Sequence, residues 1–174
     1  MRNSSHVVFD SKRSKEMLER LDNLLADYSI FYMNVRGFHW NIKGERFFEL
    51  HQKFEELYKH LAKRIDEVAE RISAIGLTPM HSYSDYLNMS EIPEIRNVSD
   101  AFESVSEVTK ALKVIIAKQR EIATMATEIS DEATTSLMGD YMIEQEKLVW
   151  MYSSFLGNGH QQNGKSKRRA MAEA

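Results

Sequence analysis

Two histidines and two carboxylates stand at intervals that could form a metal site. His39 and His51 lie on either side of a short polar break, and Asp66 and Glu70 are four residues apart, so the two carboxylates share a helix face. Glu55 follows His51 by about one helical turn. Imidazole and carboxylate ligands without sulfur suit iron, manganese or zinc. The spacing therefore predicts a site for one of these ions.

The reach of a helix decides how such a site can be completed. His51 and Asp66 fall on one predicted helix and are fifteen residues apart, which is roughly 22 Å at ~1.5 Å per residue. A metal–ligand bond is only about 2 Å long. We therefore expect an antiparallel twofold contact that brings the histidine end of one subunit to the carboxylate end of another. Such a contact would create two equivalent sites.

A second interpretation needs no metal. Asp66 and Glu70 are close in sequence to Lys63, Arg64 and Arg71, so they could be ordinary solvated charges. Histidines on a helical bundle are often structural or surface residues. The remaining histidines, which show no comparable arrangement, are His6, His60, His81 and His160.

Apolar residues at alternating steps of three and four predict four long helices and no strands. Short breaks at Asn41–Gly44 and near Ser130 separate helix one from helix two and helix three from helix four. A long connection, Leu77–Asn97, joins helices two and three. Within it, Ser84–Met89 is predicted to form a short helix. This all-α pattern matches a ferritin-like four-helix bundle with a long crossover between helices two and three. Trp150 is predicted to lie in the core.

Composition divides the chain into a body and two ends. The chain contains 23 Lys+Arg and 26 Asp+Glu. It contains no Cys, which excludes a disulfide scaffold and a thiolate nucleophile. We predict a basic extension at 1–13, a bundle at 14–156 and a flexible basic tail at 157–174. The tail carries a net charge of +3, which leaves −6 for residues 1–156. No secretory signal or membrane-spanning window is evident, so a cytoplasmic location is expected.

The order of the candidate ligands resembles the Dps family of mini-ferritins. The His39–Trp40 pair, a second histidine twelve residues later, an aspartate fifteen after that and a glutamate four further match its signature. The closing stretch 145–151 is also similar to its last helix. The resemblance extends over roughly residues 14–156.

The resemblance implies a hollow dodecamer with ferroxidase centres at twofold interfaces. His39 and His51 of one subunit and Asp66 and Glu70 of its partner would bind iron, with Glu55 as an outer ligand. Hydrogen peroxide would oxidise two Fe²⁺ together, and Fe³⁺ mineral would be stored inside the shell. Trp40 would lie beside the site, where it either exchanges an electron or simply packs at the interface.

Two further groups of charged residues have candidate roles. The family has acidic pores near the start and middle of the last helix, although carboxylates there also suit helix capping or a solvated face. The pore candidates are Asp131, Glu132, Asp140 and Glu144. Some members bind DNA through basic ends, which implies possible nucleoid association. The residues of the tail that could contact phosphates are Lys165, Lys167, Arg168 and Arg169.

The sequence raises two alternatives to this function. A ferritin with its di-iron site inside each bundle needs Glu-x-x-His motifs. No Glu in this chain has a His three residues later, so that alternative is disfavoured. A non-catalytic helical protein that coats DNA stays open as an alternative, because the tail is basic.

Overall fold

The computed structural model describes the backbone of residues 11–172 and the side chains of residues 12, 13 and 15–157. The helices of this part of the chain are α1 (Ser11–Asn41), α2 (Phe47–Ala74), α3 (Tyr83–Met89), α4 (Ala101–Glu128) and α5 (Glu132–Ala172). No strand occurs among the described residues. The predicted all-α bundle with a short helix in the crossover is confirmed.

The predicted apolar stripes of α1, α2 and α4 form the core. Their burial follows from helical periodicity, because steps of three and four place side chains on one face. The residues of the α1 stripe, all of them buried, are Met17, Leu21, Leu24, Tyr28, Phe31, Val35 and Phe38. Gln119 of α4 is also buried, and its Nε2 donates a hydrogen bond of 2.7 Å to the hydroxyl of Tyr28. The stripes thus fix α1, α2 and α4 around one core.

The crossover is held along α1 by polar side chains. Asp22 Oδ1 accepts a hydrogen bond from the Met80 amide, and Asp27 Oδ1 accepts one from the Glu91 amide. Asn34 accepts from the Ile95 amide. The order of these contacts shows that the crossover runs parallel to α1. As a result α4 begins at the same end of the bundle as α2.

The end of α2 is defined by Gly76. This residue has φ +82°, a left-handed conformation that glycine adopts without a Cβ clash. The amide of Gly76 donates to the Ser73 carbonyl, and the amide of Leu77 donates to the Ile72 carbonyl. These two bonds satisfy carbonyls that the helix end would otherwise leave unpaired. This end of α2 agrees with the predicted start of the long connection at Leu77.

The predicted register of α5 is wrong at Trp150, which is 66% exposed rather than in the core. The residues of α5 that face the core include Tyr141 and Gln145, and Glu144 lies beside this buried face. The physical reason for this register is that Gln145 can be buried, because its Nε2 donates a hydrogen bond of 2.5 Å to the Tyr28 hydroxyl. A polar residue was therefore buried where the sequence pattern favours apolar ones.

The last helix also extends further than the sequence predicts. The sequence places the end of the bundle at 156, but α5 continues as helix to Ala172. The segment contains no proline that would stop it, and residues 165–172 are mostly good helix formers. The side chains of 158–174 and all of 1–10 lie outside the described residues. No helix of the described part is long and apolar enough to cross a membrane.

Candidate metal centre

His39 and His51 meet where α1 turns into α2. His39 lies in the last turn of α1 and His51 in the second turn of α2, and the short link between the helices brings them together. Their rings are stacked, with centroids 3.8 Å apart and an interplanar angle of 23°. Each backbone also supports the other ring. His39 Nδ1 lies 2.7 Å from the His51 carbonyl, and His51 Nδ1 lies 2.9 Å from the His39 carbonyl.

These two hydrogen bonds determine the tautomers. A backbone carbonyl can only accept, so each Nδ1 must carry the proton and donate. In a neutral ring the lone pair is then on Nε2, which is the form that binds a metal. Each backbone therefore orients the other residue's ring with its Nε2 away from the shared hydrogen bond. His39 is buried and His51 is half-buried, which limits their motion.

Aromatic side chains surround the histidine pair. Phe47 stacks on His51 with centroids 5.0 Å apart, and the edge of Tyr58 faces His39 at 5.3 Å. Trp40 follows His39 and is 54% exposed. An exposed indole beside a candidate ligand is typical of a surface that another chain covers.

Asp66 and Glu70 are exposed on α2. The cations near them in sequence pair with a different carboxylate, because Lys63 Nζ and Arg64 Nη1 lie 3.3 Å and 2.6 Å from Glu67. Within the described part of the chain, neither Asp66 nor Glu70 forms a side-chain hydrogen bond or ion pair. The carboxylates are therefore available to a cation, and they are not neutralised by their neighbours.

One chain does not close the site. The unbroken helix α2 contains both His51 and Asp66, so roughly 22 Å separates the two groups along its axis. Among the described residues, no group of three or more His, Asp or Glu side chains could hold a metal ion. The two halves lie on a single face of α2. In order, the residues on this face are His51, Glu55, Tyr58, Ala62, Asp66 and Glu70.

Glu55 lies on this face one turn after His51. Its carboxylate accepts a hydrogen bond of 2.5 Å from Lys59 Nζ. That bond, together with the charge of Lys59, lowers the pKa of Glu55 below its ordinary value. The carboxylate stays ionised, which suits an outer ligand, and Lys59 bonds to only one of its two oxygens, Oε1.

Asp131 has a structural role that differs from the predicted pore position. It is buried just before α5, where Oδ1 accepts from the Thr134 amide as a helix cap. Arg71 Nη2 also donates to Oδ1 at 2.6 Å. Burial alone would raise the pKa of Asp131, but the bonds from Arg71 and Thr134 lower it overall. Its carboxylate is already bonded to Arg71 and Thr134 within one chain, and a place beside a pore between subunits stays a prediction.

The other pore candidates differ in exposure. Glu132 and Asp140 are exposed. Glu144 is half-buried and bonded to the Arg64 guanidinium, and its Oε1 lies 2.5 Å from His60 Nδ1. Glu132 and Asp140 thus keep the exposure that a pore requires, whereas Glu144 already has two partners. The tail candidates Lys165, Lys167, Arg168 and Arg169 follow on α5, with side chains outside the described residues.

Comparison with known proteins identifies the family. The chain matches the ferritin-like domain over residues 18–161. A DNA protection during starvation protein from Porphyromonas gingivalis is 45% identical over 139 residues, which cover 80% of this chain and 87% of the relative. A crystal structure of a Dps protein from Vibrio cholerae O1 is 44% identical with a TM-score of 0.85, and the match covers 90% of this chain and 98% of that one.

The chain belongs to the Dps family. A crystal structure of a Dps protein from Bacillus brevis is also similar, with 32% identity, a TM-score of 0.82, and 85% and 99% coverage of the two chains. The family resemblance in the sequence is confirmed by these matches. The Vibrio cholerae protein is described as a member of a superfamily of ferritin-like diiron-carboxylate proteins.

Sequence reasoning missed one part of this Dps-family site. The Arg36 guanidinium lies between three aromatic rings, at 4.6 Å from the centroid of Trp40, 5.5 Å from that of Tyr32 and 5.9 Å from that of Tyr58. Tyr58 was detectable, because it is seven residues after His51 and therefore on the same helix face. The contact between Tyr32 and Tyr58 depends on how α1 and α2 pack, which spacing alone does not show.

Proposed function

We propose that this protein oxidises Fe²⁺ at centres formed between two subunits and stores the Fe³⁺ product in a hollow oligomer. The observation that carries the proposal is the pairing of His39 and His51. Each Nδ1 donates to the other residue's carbonyl, which leaves both Nε2 lone pairs for a metal. Asp66 and Glu70 supply the carboxylates from the partner subunit.

The donor set supports iron as the substrate. Neutral imidazole suits Fe²⁺, and carboxylates favour the more highly charged Fe³⁺ that forms on oxidation. The diiron-carboxylate description of the Vibrio cholerae relative agrees with this choice. Two Fe²⁺ ions held together supply both electrons that hydrogen peroxide needs for reduction to water. A paired reaction releases no hydroxyl radical, so peroxide is the oxidant that we propose.

The separation of the two half-sites requires assembly. An antiparallel twofold contact places His51 of each subunit against Asp66 of the other and forms two centres per dimer. A dodecameric shell, built from such dimers, is the oligomer that we propose. A cytoplasmic location accompanies this function.

A double substitution tests the site. His51→Ala combined with Asp66→Ala removes one ligand of each kind and should abolish rapid oxidation of Fe²⁺ by peroxide while the oligomer survives. The matched control is His81→Ala with Glu94→Ala, an exposed histidine and an exposed carboxylate elsewhere on the chain. Stopped-flow absorbance measures Fe³⁺ formation, and light scattering measures the oligomer. An unchanged initial rate in the first variant would exclude these ligands.

Protection of DNA is a second proposed role, and it follows from the names of the relatives. The curated relative from Porphyromonas gingivalis is called a DNA protection during starvation protein. The net charge of +3 on residues 157–174 supports contact with phosphates, and many copies on one shell would add avidity. Binding of this kind would place the protein on the nucleoid.

Removal of residues 158–174 separates the two roles. Gel retardation at low and moderate salt should show DNA binding by the full chain and loss of binding by the truncated chain, whose rate of Fe²⁺ oxidation should not change. If the full chain leaves DNA mobile at low salt, the tail has no such function. If DNA binding persists in a variant without ferroxidase activity, coating of DNA is an independent function.

A further inference from the structure

A row of aromatic rings leads from the histidine pair along the groove between α1 and α2. The Tyr58 ring lies 5.3 Å from His39 and 6.2 Å from Tyr32, measured between centroids. Both contacts are edge-to-face. Arg36 Nη1 donates a hydrogen bond of 3.2 Å to the Tyr32 hydroxyl. The row begins at a predicted iron ligand and continues away from it.

The proposed twofold contact places the far end of this row, Tyr58 and Tyr32, at the level of the symmetry axis along α2. If His51 of one subunit lies opposite Asp66 of the other, the axis crosses α2 midway between them, which is between Tyr58 and Lys59. Tyr32 packs against Tyr58, so it lies at the same level. A twofold axis at this level relates each tyrosine to its own copy at the same height along the helix. The rings of two subunits would form one continuous row between the two centres.

We propose that Tyr58 and Tyr32 form an aromatic bridge that carries electrons between the two iron centres of a dimer. This inference rests on the proposed function. The centres are separated by roughly 22 Å along α2, which is a long distance for a single electron-transfer step because tunnelling falls steeply with distance. The rings divide that distance into short steps. One centre can therefore use an electron that originates at the other.

The bridge matters when a centre holds only one Fe²⁺. Peroxide bound there takes one electron from Fe²⁺ and a second from Tyr58, which also loses its phenolic proton to water. H2O2, Fe²⁺, TyrOH and H⁺ thus give two H2O, Fe³⁺ and a neutral tyrosyl radical. Fe²⁺ at the other centre then reduces the radical, and a proton from water restores Tyr58. The sum is two Fe²⁺ oxidised per peroxide without release of hydroxyl radical.

Arg36 favours tyrosine over tryptophan as the electron donor. Its positive charge lies 4.6 Å from the Trp40 ring centroid and opposes the radical cation that an indole forms on oxidation. An oxidised tyrosine loses its proton and becomes neutral, so the same charge opposes it much less. We therefore place the first radical on Tyr58 and not on Trp40.

Tyr58→Phe tests the bridge, because it removes the hydroxyl and keeps the ring. The matched control is Tyr152→Phe, which removes a hydroxyl from the groove between α2 and α5. Each protein receives one Fe²⁺ per centre and then peroxide. Freeze-quench electron paramagnetic resonance measures the radical, and a spin trap measures hydroxyl radical. We expect a tyrosyl signal in the unmodified protein and the control, and loss of that signal with more trapped hydroxyl radical in Tyr58→Phe.

The outcome separates the bridge from the proposed function. With two or more Fe²⁺ per centre, both electrons come from iron, so the rate of iron oxidation by Tyr58→Phe should be reduced much less than it is with one Fe²⁺ per centre. If this rate is normal and the tyrosyl signal also persists in Tyr58→Phe, the bridge is wrong and the ferroxidase function stands. If the unmodified protein oxidises no Fe²⁺ at all, the ferroxidase function itself is wrong.

Cross-linking tests the position of the axis without iron. The chain has no Cys, so Tyr58→Cys introduces a single thiol that a short bismaleimide should link to its copy, since two side chains whose rings meet hold their Cβ atoms too far apart for a direct disulfide. Glu56→Cys is the control, because Glu56 is exposed and lines the groove toward α5. Equal cross-linking of both variants, or of neither, would contradict a bridge across the axis.

Discussion

Subunit mixing provides the sharpest test of a centre shared between two chains. His51→Ala removes an imidazole, and Asp66→Ala removes a carboxylate that lies roughly 22 Å away on the same helix. In an oligomer made from either variant alone, every centre lacks a ligand. In a mixed dimer, one centre lacks both ligands, but the other combines the intact histidines of one chain with the intact carboxylates of its partner.

The recovery has a calculable size. With equal amounts and random pairing, about half of the dimers are mixed, and one of the two centres in each mixed dimer is complete. About a quarter of all centres should therefore be active. The mixture should oxidise Fe²⁺ with peroxide at about a quarter of the unmodified rate, whereas each variant alone is inactive. A centre within one chain would give no recovery at any ratio.

The assay uses co-expressed subunits with two different affinity tags, purified over both tags. Initial rates of Fe³⁺ formation are normalised to protein concentration. The control mixture combines His51→Ala with His39→Ala, which remove ligands from the same half-site and should give no recovery. Full activity of His51→Ala alone, or equal recovery in both mixtures, would refute the shared centre.

Two other predictions concern stability. Asp27 is fully buried and lies 2.6 Å from Lys118 Nζ. Asp27→Ala should lower the free energy of unfolding by about 3–5 kcal/mol, measured by urea denaturation, because Lys118 loses its buried partner and keeps only the exposed Glu91. The pKa of Asp131 is lowered in the folded chain. Its ionised carboxylate therefore stabilises the fold above the ordinary value of 3.8, and this stabilisation is lost as the pH falls through that value toward the lower folded pKa. Urea midpoints measured across this range should therefore fall less steeply for Asp131→Asn.

Much of the fold could be predicted from the chain alone because helical periodicity is a local property. The stripe that contains Leu21, Tyr28 and Val35 is apolar at steps of three and four, and it is buried. The long interval before α4 correctly indicated a crossover with a short helix. The prediction for Trp150 was wrong because the burial of this side chain depends on how α5 is rotated about its axis. That rotation is fixed by hydrogen bonds from Gln145 and Gln119 to the hydroxyl of Tyr28.

The candidate site was only partly predictable for a related reason. Spacing showed that His51 and Asp66 cannot meet in one chain, since the rise of a helix is fixed. Spacing could not show which carboxylates stay free. The structure assigns Arg64 to Glu67 and Glu144, and these pairings depend on the packing of α2 against α5.

By itself, the sequence determined the helices, their apolar faces, the ligand types and the distance that keeps the two half-sites apart. Those properties depend on residues within a few turns of one another. Only the tertiary structure decided the tautomers of His39 and His51, because each proton is fixed by a carbonyl on the opposite helix. It also placed Asp131 inside a buried ion pair and gathered Tyr32 and Tyr58 beside the site. Contacts between helices depend on how two surfaces fit, and no single helix contains that information.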